Sequence, residues 1–266
     1  MGTGCGLNNN SCSGTFKFKL QPGKEKKDIT TDFLGLLLRN TRESFIRGHS
    51  LENVTIHDNI ISIEFEFNLE NSDDPKGEDG LYVGPDDVNS TNLDNPFNET
   101  ILSIIDFGGI PLVKYGGIAH PVEVVGIQFA GYTGDIASSE NSNPLIRENT
   151  NLAASFFAAS GNLDIEGWDT SNVINMAQMF ENATNFNKDI SDWNTSNVTD
   201  MNSMFNGASN FDCGGNSKKW REWKVSEDTD TFHMVENADN LINIFKDNDD
   251  FNNLNNNKSN NFFNQS

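Results

Sequence analysis

Residues 168–186 come back as residues 193–211, identical at 11 of 19 positions. Trp168-Asp169-Thr170-Ser171-Asn172-Val173 recurs as Trp193-Asn194-Thr195-Ser196-Asn197-Val198. Met176, Met179, Phe180, Ala183, Asn185 and Phe186 recur as Met201, Met204, Phe205, Ala208, Asn210 and Phe211, every one of them 25 positions later. Self-similarity at a fixed period of about 20–50 residues marks a chain whose units bury their apolar faces on one another. That constrains the fold more than any other feature here, because one copy alone cannot close a core.

About three copies are needed for a continuous core. A third copy follows at an offset of 30: Trp223, Met234, Val235, Ala238, Asn240 and Leu241 answer Trp193, Met204, Phe205, Ala208, Asn210 and Phe211. The interval of 12 from Trp to the next large apolar residue is kept in all three, as Trp168 to Phe180, Trp193 to Phe205 and Trp223 to Val235. The extra residues therefore fall in 212–219, where Gly214-Gly215 and Asn216-Ser217 are loop chemistry. Upstream, Leu152, Phe156, Ala159, Leu163 and Ile165 form an eroded leading copy, with Ile165 placed 25 before Ile190. This register predicts that Trp193 is buried, packed between Trp168 and Trp223, one copy from each.

Within a copy, Ile190 to Trp193 suits a short extended segment. Thr195-Ser196-Asn197 suits a turn, since these side chains bond nearby backbone. Met201 to Phe205 has helical spacing. The expected unit is one strand plus one short helix or 3-10 turn, with Ala183 and Ala208 small where copies approach closely. The pattern W-[DN]-T-S-N-V-x-x-M-x-x-M-F-x-x-A-x-x-F resembles the repeat of BspA-like surface proteins, a leucine-rich-repeat-like group. The resemblance is specific over 168–211 and weaker over 151–167 and 212–245. It implies a right-handed leucine-rich-repeat-like solenoid used for adhesion or recognition, and it carries no catalytic residue. Surface lipoproteins of that group are exported, whereas Met1-Gly2-Thr3-Gly4-Cys5-Gly6 lacks the charged and apolar regions of a signal peptide. Gly6 also stands where a myristoylation signal wants Ser or Thr.

Charge narrows the partners. The chain has 266 residues and a net charge of −21. Residues 1–50 hold eight Lys/Arg against four acids, a net +4, so the remaining ten basic and 35 acidic residues give −25. An acidic body of that size repels nucleic acid and anionic membranes. No run approaches the roughly 18 apolar residues of a membrane-spanning helix. Three cysteines at wide spacing make a poor disulfide framework, with Cys5–Cys12 the one conceivable pair. Asparagine is over-represented, and its many Asn-x-Ser/Thr sequons follow from that composition.

The first half reads as a small α+β domain. Phe16 to Leu20 alternates like a half-buried strand. Residues 31–47 read as a helix capped by Thr30 or Thr31 and ended by Gly48. Residues 54–57 and 60–67 read as a hairpin, and Ile101 to Ile105 and Val122 to Ala130 as further strands. The expected organisation is an N-terminal arm (1–14), an anchoring α+β domain (15–135), a linker (136–150), the repeat solenoid (151–245) and an Asn-rich tail (246–266) whose composition defaults to disorder.

Candidate chemistry is thin. His49, His57, His120 and His233 stand in no catalytic spacing with Asp, Ser or Cys. Gly108-Gly109 and Gly116-Gly117 match no phosphate-binding fingerprint. The acid-rich stretch 73–80 could hold calcium, although its order is not that of an EF-hand; no other cofactor is expected. If Ile165, Ile190 and Trp220 point inward from strands, their neighbours line one outer face: Asp164 and Glu166, then Asp189 and Ser191, then Lys219 and Arg221. This acidic-to-basic row is the expected partner-binding face. The expected function is a non-enzymatic structural or recognition protein, an accessory component of a virion tail or capsid surface. Its expected partners are other proteins of a larger assembly and a host-surface protein or glycan, without nucleic acid or membrane insertion. The alternatives are a cellular surface adhesin whose leader is missing, and an enzyme in 15–135 targeted by the repeats.

Overall fold

The computed structural model describes residues 11–39, 45–68, 79–85, 95–114, 117–119, 123–125, 127–137, 143–254 and 262–263. Cys5, His120 and positions 73–78 of the calcium candidate lie outside them.

A six-stranded sheet organises the first half. Its strands are β1 (Ser11–Leu20), β3 (Phe45–Arg47), β4 (Val54–His57), β5 (Ile60–Asn68), β7 (Ile101–Asp106) and β10 (Asp135–Ile136). The order is β10-β7-β1-β5-β3, with β4 also paired to β5. Short strands β2 (Leu38–Arg39) and β6 (Gly80–Leu81) pair with each other, as do β8 (Gly117–Ala119) and β9 (Glu123–Val125). Alternation sets the face of the central pair: Phe16, Phe18 and Leu20 on β1 and Ile61, Ile63, Phe65 and Phe67 on β5 are buried, in the register Phe16 to Ile63 and Phe18 to Ile61. The hairpin expected at 54–67 forms as β4–β5, turning through Asp58 and Asn59 at positive φ.

The expected long helix is shorter. Helix α1 runs Thr31–Leu37, capped by Thr30 Oγ1, which accepts from the Phe33 N–H at 3.1 Å. Leu34 and Leu37 face the core, and the chain then leaves as β2 to pair with β6. Phe45 to Arg47 pairs with β5 instead of continuing a helix, because that edge of β5 offers backbone partners a helix cannot use.

The fold class expected from the repeat is corrected here. The protein is a mixed α/β arrangement built on this sheet with few, short helices, not an α+β domain followed by a leucine-rich-repeat-like solenoid of one strand and one helical turn per coil. Across 152–238 the strands reduce to β12 (Val173–Asn175), which pairs with β11 (Thr150–Asn151). The single helix, α2 (Ser217–Trp220), sits in the insertion. Most of the repeat is hydrogen-bonded turns.

The hydrogen bonds explain why. The N–H groups of Leu152, Ala154, Phe156 and Ala158 donate forward to the carbonyls of Asn175, Ala177, Met179 and Glu181 in the next copy. The intervening N–H groups of Ser155, Phe157 and Ala159 donate back three residues, to Leu152, Ala154 and Phe156. The same alternation links 176–182 to 200–206, and 201–207 to 230–236. A helix sends every N–H along its own axis and a strand sends none back into its own turn, so this pattern is neither. It needs left-handed backbone at every fourth residue. Ala154 and Ala158, Gln178 and Asn182, Ser203 and Gly207, and His233 and Asn237 supply it at φ between 51° and 73°. Gly207 takes this conformation without the cost that the side chains of Ala158, Asn182 and Asn237 bear at the equivalent position, and a Cβ added there would stand 2.6 Å from Asn182 Oδ1, which would have to shift.

Turns paired this way leave one side of each copy apolar. Phe129, Phe156, Phe180 and Phe205 stack face to face at 5.2, 5.5 and 5.6 Å between centroids. Phe186 and Phe211 form a second short column, 3.9 and 4.1 Å from Phe180 and Phe205. Trp193 is 4 % exposed, as the register required, and donates its indole N–H to Ile165 O at 3.3 Å; Trp223 does the same to Ile190 O at 3.2 Å. Phe107 joins this column to the sheet, with its ring 6.2 Å from Phe16 and 5.8 Å from Trp168. The buried apolar residues from Cys12 to Phe263 form one cluster.

Both ends of the paired turns are covered. At the first, Val83 N–H bonds Gln128 O, and Asn95 Nδ2 bonds the carbonyls of Val83 and Ala130. At the last lie α3 (Asp239–Phe245) and α4 (Asp249–Leu254), with Thr231 Oγ1 donating to Leu254 O. The Asn-rich tail brings Phe251, Phe262 and Phe263 into the core. Within 136–150, the segment read as a linker, Ile136 joins β10, and buried Arg147 donates to the carbonyls of Asp79 and Leu112.

Candidate binding face

Ile165, Ile190 and Trp220 are fully buried, as the expected face required, although none lies in a strand. Their polar neighbours are placed in three separate groups, each engaged with its own chain. Asp164 and Glu166 share Lys188, whose Nζ is 2.9 Å from Asp164 and 3.7 Å from Glu166. Burial raises the Glu166 carboxyl above its ordinary range, with Lys188 opposing and Asp164 adding to the rise.

Asp189 holds the insertion. Its carboxylate accepts from the Ser191 N–H at 3.0 Å and hydroxyl at 2.6 Å, from Asn216 Nδ2 at 2.9 Å and from Cys213 Sγ at 3.7 Å. Burial pushes this carboxyl up, but the hydrogen bonds outweigh it and leave it below the usual carboxylate range. Burial also pushes the Cys213 thiol up to about 12. The inserted loop at 212–219 is thus tied down from inside, with Cys213 and the following Trp220 buried. Replacing Asp189 by alanine is expected to cost about 2 kcal/mol at neutral pH, the scale of hydrogen bonds to a charged group. A folded-state carboxyl held below its unfolded value stabilises above that value and loses the effect as pH falls through it. Urea unfolding should therefore show the variant's deficit shrinking as pH falls below the ordinary carboxylate range; an unchanged deficit would mean that the charge is immaterial.

Lys219 pairs with Asp192 at 2.6 Å, and Arg221 donates to Phe262 O at 3.4 Å with its guanidinium 4.9 Å above the Phe262 ring. Arg221 thereby clamps the tail. The acidic-to-basic row exists in the chain, but much of its hydrogen-bonding capacity is spent inside the molecule.

Sequence reasoning missed a groove of about 310 Å³ lined by Glu148, Asn149, Asn172, Ile174 and Asn197. Asn172 and Asn197 are equivalent residues of successive copies, and each is anchored to the copy before it. Asn172 Nδ2 donates to Ile146 O at 3.0 Å, and Asn197 Nδ2 to Ser171 O at 2.7 Å. Ile174 points outward from β12, where its neighbour Val173 points inward. Glu148 and left-handed Asn149 close the groove before β11. The signal was available, since Asn172 and Asn197 belong to the repeat, but only the fold brings Glu148 beside them.

Among the described residues no group of three or more His, Cys, Asp or Glu is arranged to hold a metal ion, and no helix is long and apolar enough to cross a membrane. Residues 150–266, under half of the chain, match a family described as a Mycoplasma protein of unknown function, DUF285. No curated protein and no solved structure matches.

Proposed function

We propose that this chain is a non-enzymatic recognition protein that presents the outer side of its paired turns to a partner. One observation carries the reading: Asn172 and Asn197 repeat in sequence, are fixed in the same way to the preceding copy, and line one groove. Side chains held by backbone contacts lose little freedom on binding, which favours recognition. The resemblance of the repeat to BspA-like surface proteins supports the same reading. Its setting is an exposed position on an assembled particle, as an accessory tail or capsid component contacting other proteins or a host-surface molecule. A second setting, a cellular surface adhesin, is favoured by the similarity of residues 150–266 to a family described from Mycoplasma.

Exposure is testable directly. Intact particles and intact cells would be treated with a membrane-impermeant lysine reagent before and after disruption. Labelling of the chain on the intact particle supports the first setting, and labelling on the intact cell the second. A chain labelled only after disruption of both would sink the display reading.

A further inference from the structure

We infer that the groove between Glu148 and Asn197 is a subsite for one neutral sugar residue of a glycan. This rests on the recognition reading and names its ligand class. The chemistry of the lining carries it. Each Asn amide has two N–H donors and one carbonyl acceptor. With one N–H of Asn172 and of Asn197 spent on backbone, each retains one donor and one acceptor for the groove. Two such paired donor–acceptor sites, with a carboxylate at Glu148 and a third amide at Asn149, match the vicinal hydroxyls of a pyranose, which both donate and accept. A sulfate offers no donor for the carboxylate, a phosphate is repelled by it, and the net charge of −21 opposes any anion. A cation would want several anionic oxygens, where the groove has one carboxylate. Ile174 supplies the apolar strip on which the C–H face of a sugar ring lies. A volume of about 310 Å³ admits a single sugar residue with room for its glycosidic neighbour.

The register of the copies adds a reason for the place. Thr199 stands 25 positions after Ile174, so the apolar strip is present at one copy and replaced by a hydroxyl at the next. Thr199 Oγ1 is occupied by Ile174 O at 3.2 Å. The groove is therefore a single subsite and not a row of identical ones, and it binds one ring weakly, in keeping with the few atoms engaged.

The test is saturation-transfer NMR on the full chain with glucose, galactose, mannose, N-acetylglucosamine and N-acetylneuraminic acid as separate probes. Transfer to at least one neutral sugar and none to N-acetylneuraminic acid is the expected result. Glu148→Lys and Ile174→Glu should each weaken that transfer at least tenfold, with an unchanged unfolding midpoint. Should either variant fail to fold, side-chain amide shifts of Asn172 and Asn197 in the unaltered protein, on titration with the same sugar, decide the matter. Absence of transfer to every neutral sugar, transfer that survives both variants, or amide resonances that do not move would each overturn the subsite. Those outcomes leave the display reading standing if surface labelling succeeds. Failure of labelling, with sugar transfer intact, removes display and keeps the subsite.

Discussion

Phe205→Ala should lower the unfolding free energy by about 3–5 kcal/mol, the scale of emptying a fully buried aromatic site. The ring is fully buried, stacked 5.6 Å from Phe180 and 4.1 Å from Phe211, and met edge-on by Trp220 at 5.9 Å. Its site cannot collapse, because the copies on either side are held at fixed spacing by backbone bonds from Phe180 N–H to Met204 O and from Phe205 N–H to Met234 O. Set against a total stability of about 5–15 kcal/mol, such a loss is a large fraction of the whole and moves the unfolding midpoint far to lower urea. Phe232 is the internal control: it is 42 % exposed, and its replacement by alanine should stay within about 0.5 kcal/mol. Urea unfolding of the two variants measures the difference directly. Equal losses would show that the stacked column does not bear on stability.

The second large effect concerns the tail. Phe262→Ala is expected to cost about 3 kcal/mol, and deletion of residues 247–266 should destabilise further and shift tryptophan emission to the red. Phe262 and Phe263 lie 5.6 and 5.1 Å from Trp220, and Phe263 lies 6.1 Å from Trp223. Without them the last indoles meet water. Fluorescence and thermal unfolding of the truncated chain would report both changes. A truncated protein with the emission and midpoint of the full chain would mean that the tail is a solvated appendage.

Residues 247–266 show why sequence texture alone misleads. An Asn-rich segment with three phenylalanines cannot bury a core by itself, and on composition it defaults to disorder. It is ordered at Asp249–Leu254 and at 262–263 because the last repeat copy leaves apolar surface that only a later segment can cover. Residues 127–131 hold the opposite lesson. Ile127 and Gly131 adopt the same left-handed pair as the copies, and Phe129 begins the stacked column, yet no Trp-Asp-Thr-Ser signature precedes them. The tertiary structure adds a copy there that the sequence pattern conceals inside what reads as a strand.

The candidate site divides in the same manner. Asp189 was singled out for an outward face, and its carboxylate instead fastens the insertion that the 30-residue offset had located. Arg221 was expected to meet a partner and meets Phe262. In each case the segment that satisfies the side chain comes from 24 to 41 residues away, a distance over which no local pattern can be read.

The sequence by itself determined the period, the offset of the third copy, the place of the insertion, the burial of Trp193 and the β4–β5 hairpin. These follow from spacing, and apolar spacing is written one residue at a time. It did not determine the backbone path within a copy. Helical spacing at Met201 to Phe205 suits a helix, a 3-10 turn and the observed chain of alternating turns equally well in apolar pattern. What chooses among them is where alternate N–H groups find acceptors, and those carbonyls belong to the neighbouring copy. Only the tertiary structure brings that copy alongside. The mixed α/β class, the left-handed residue at every fourth position and the groove at Asn172 and Asn197 were all decided at that step.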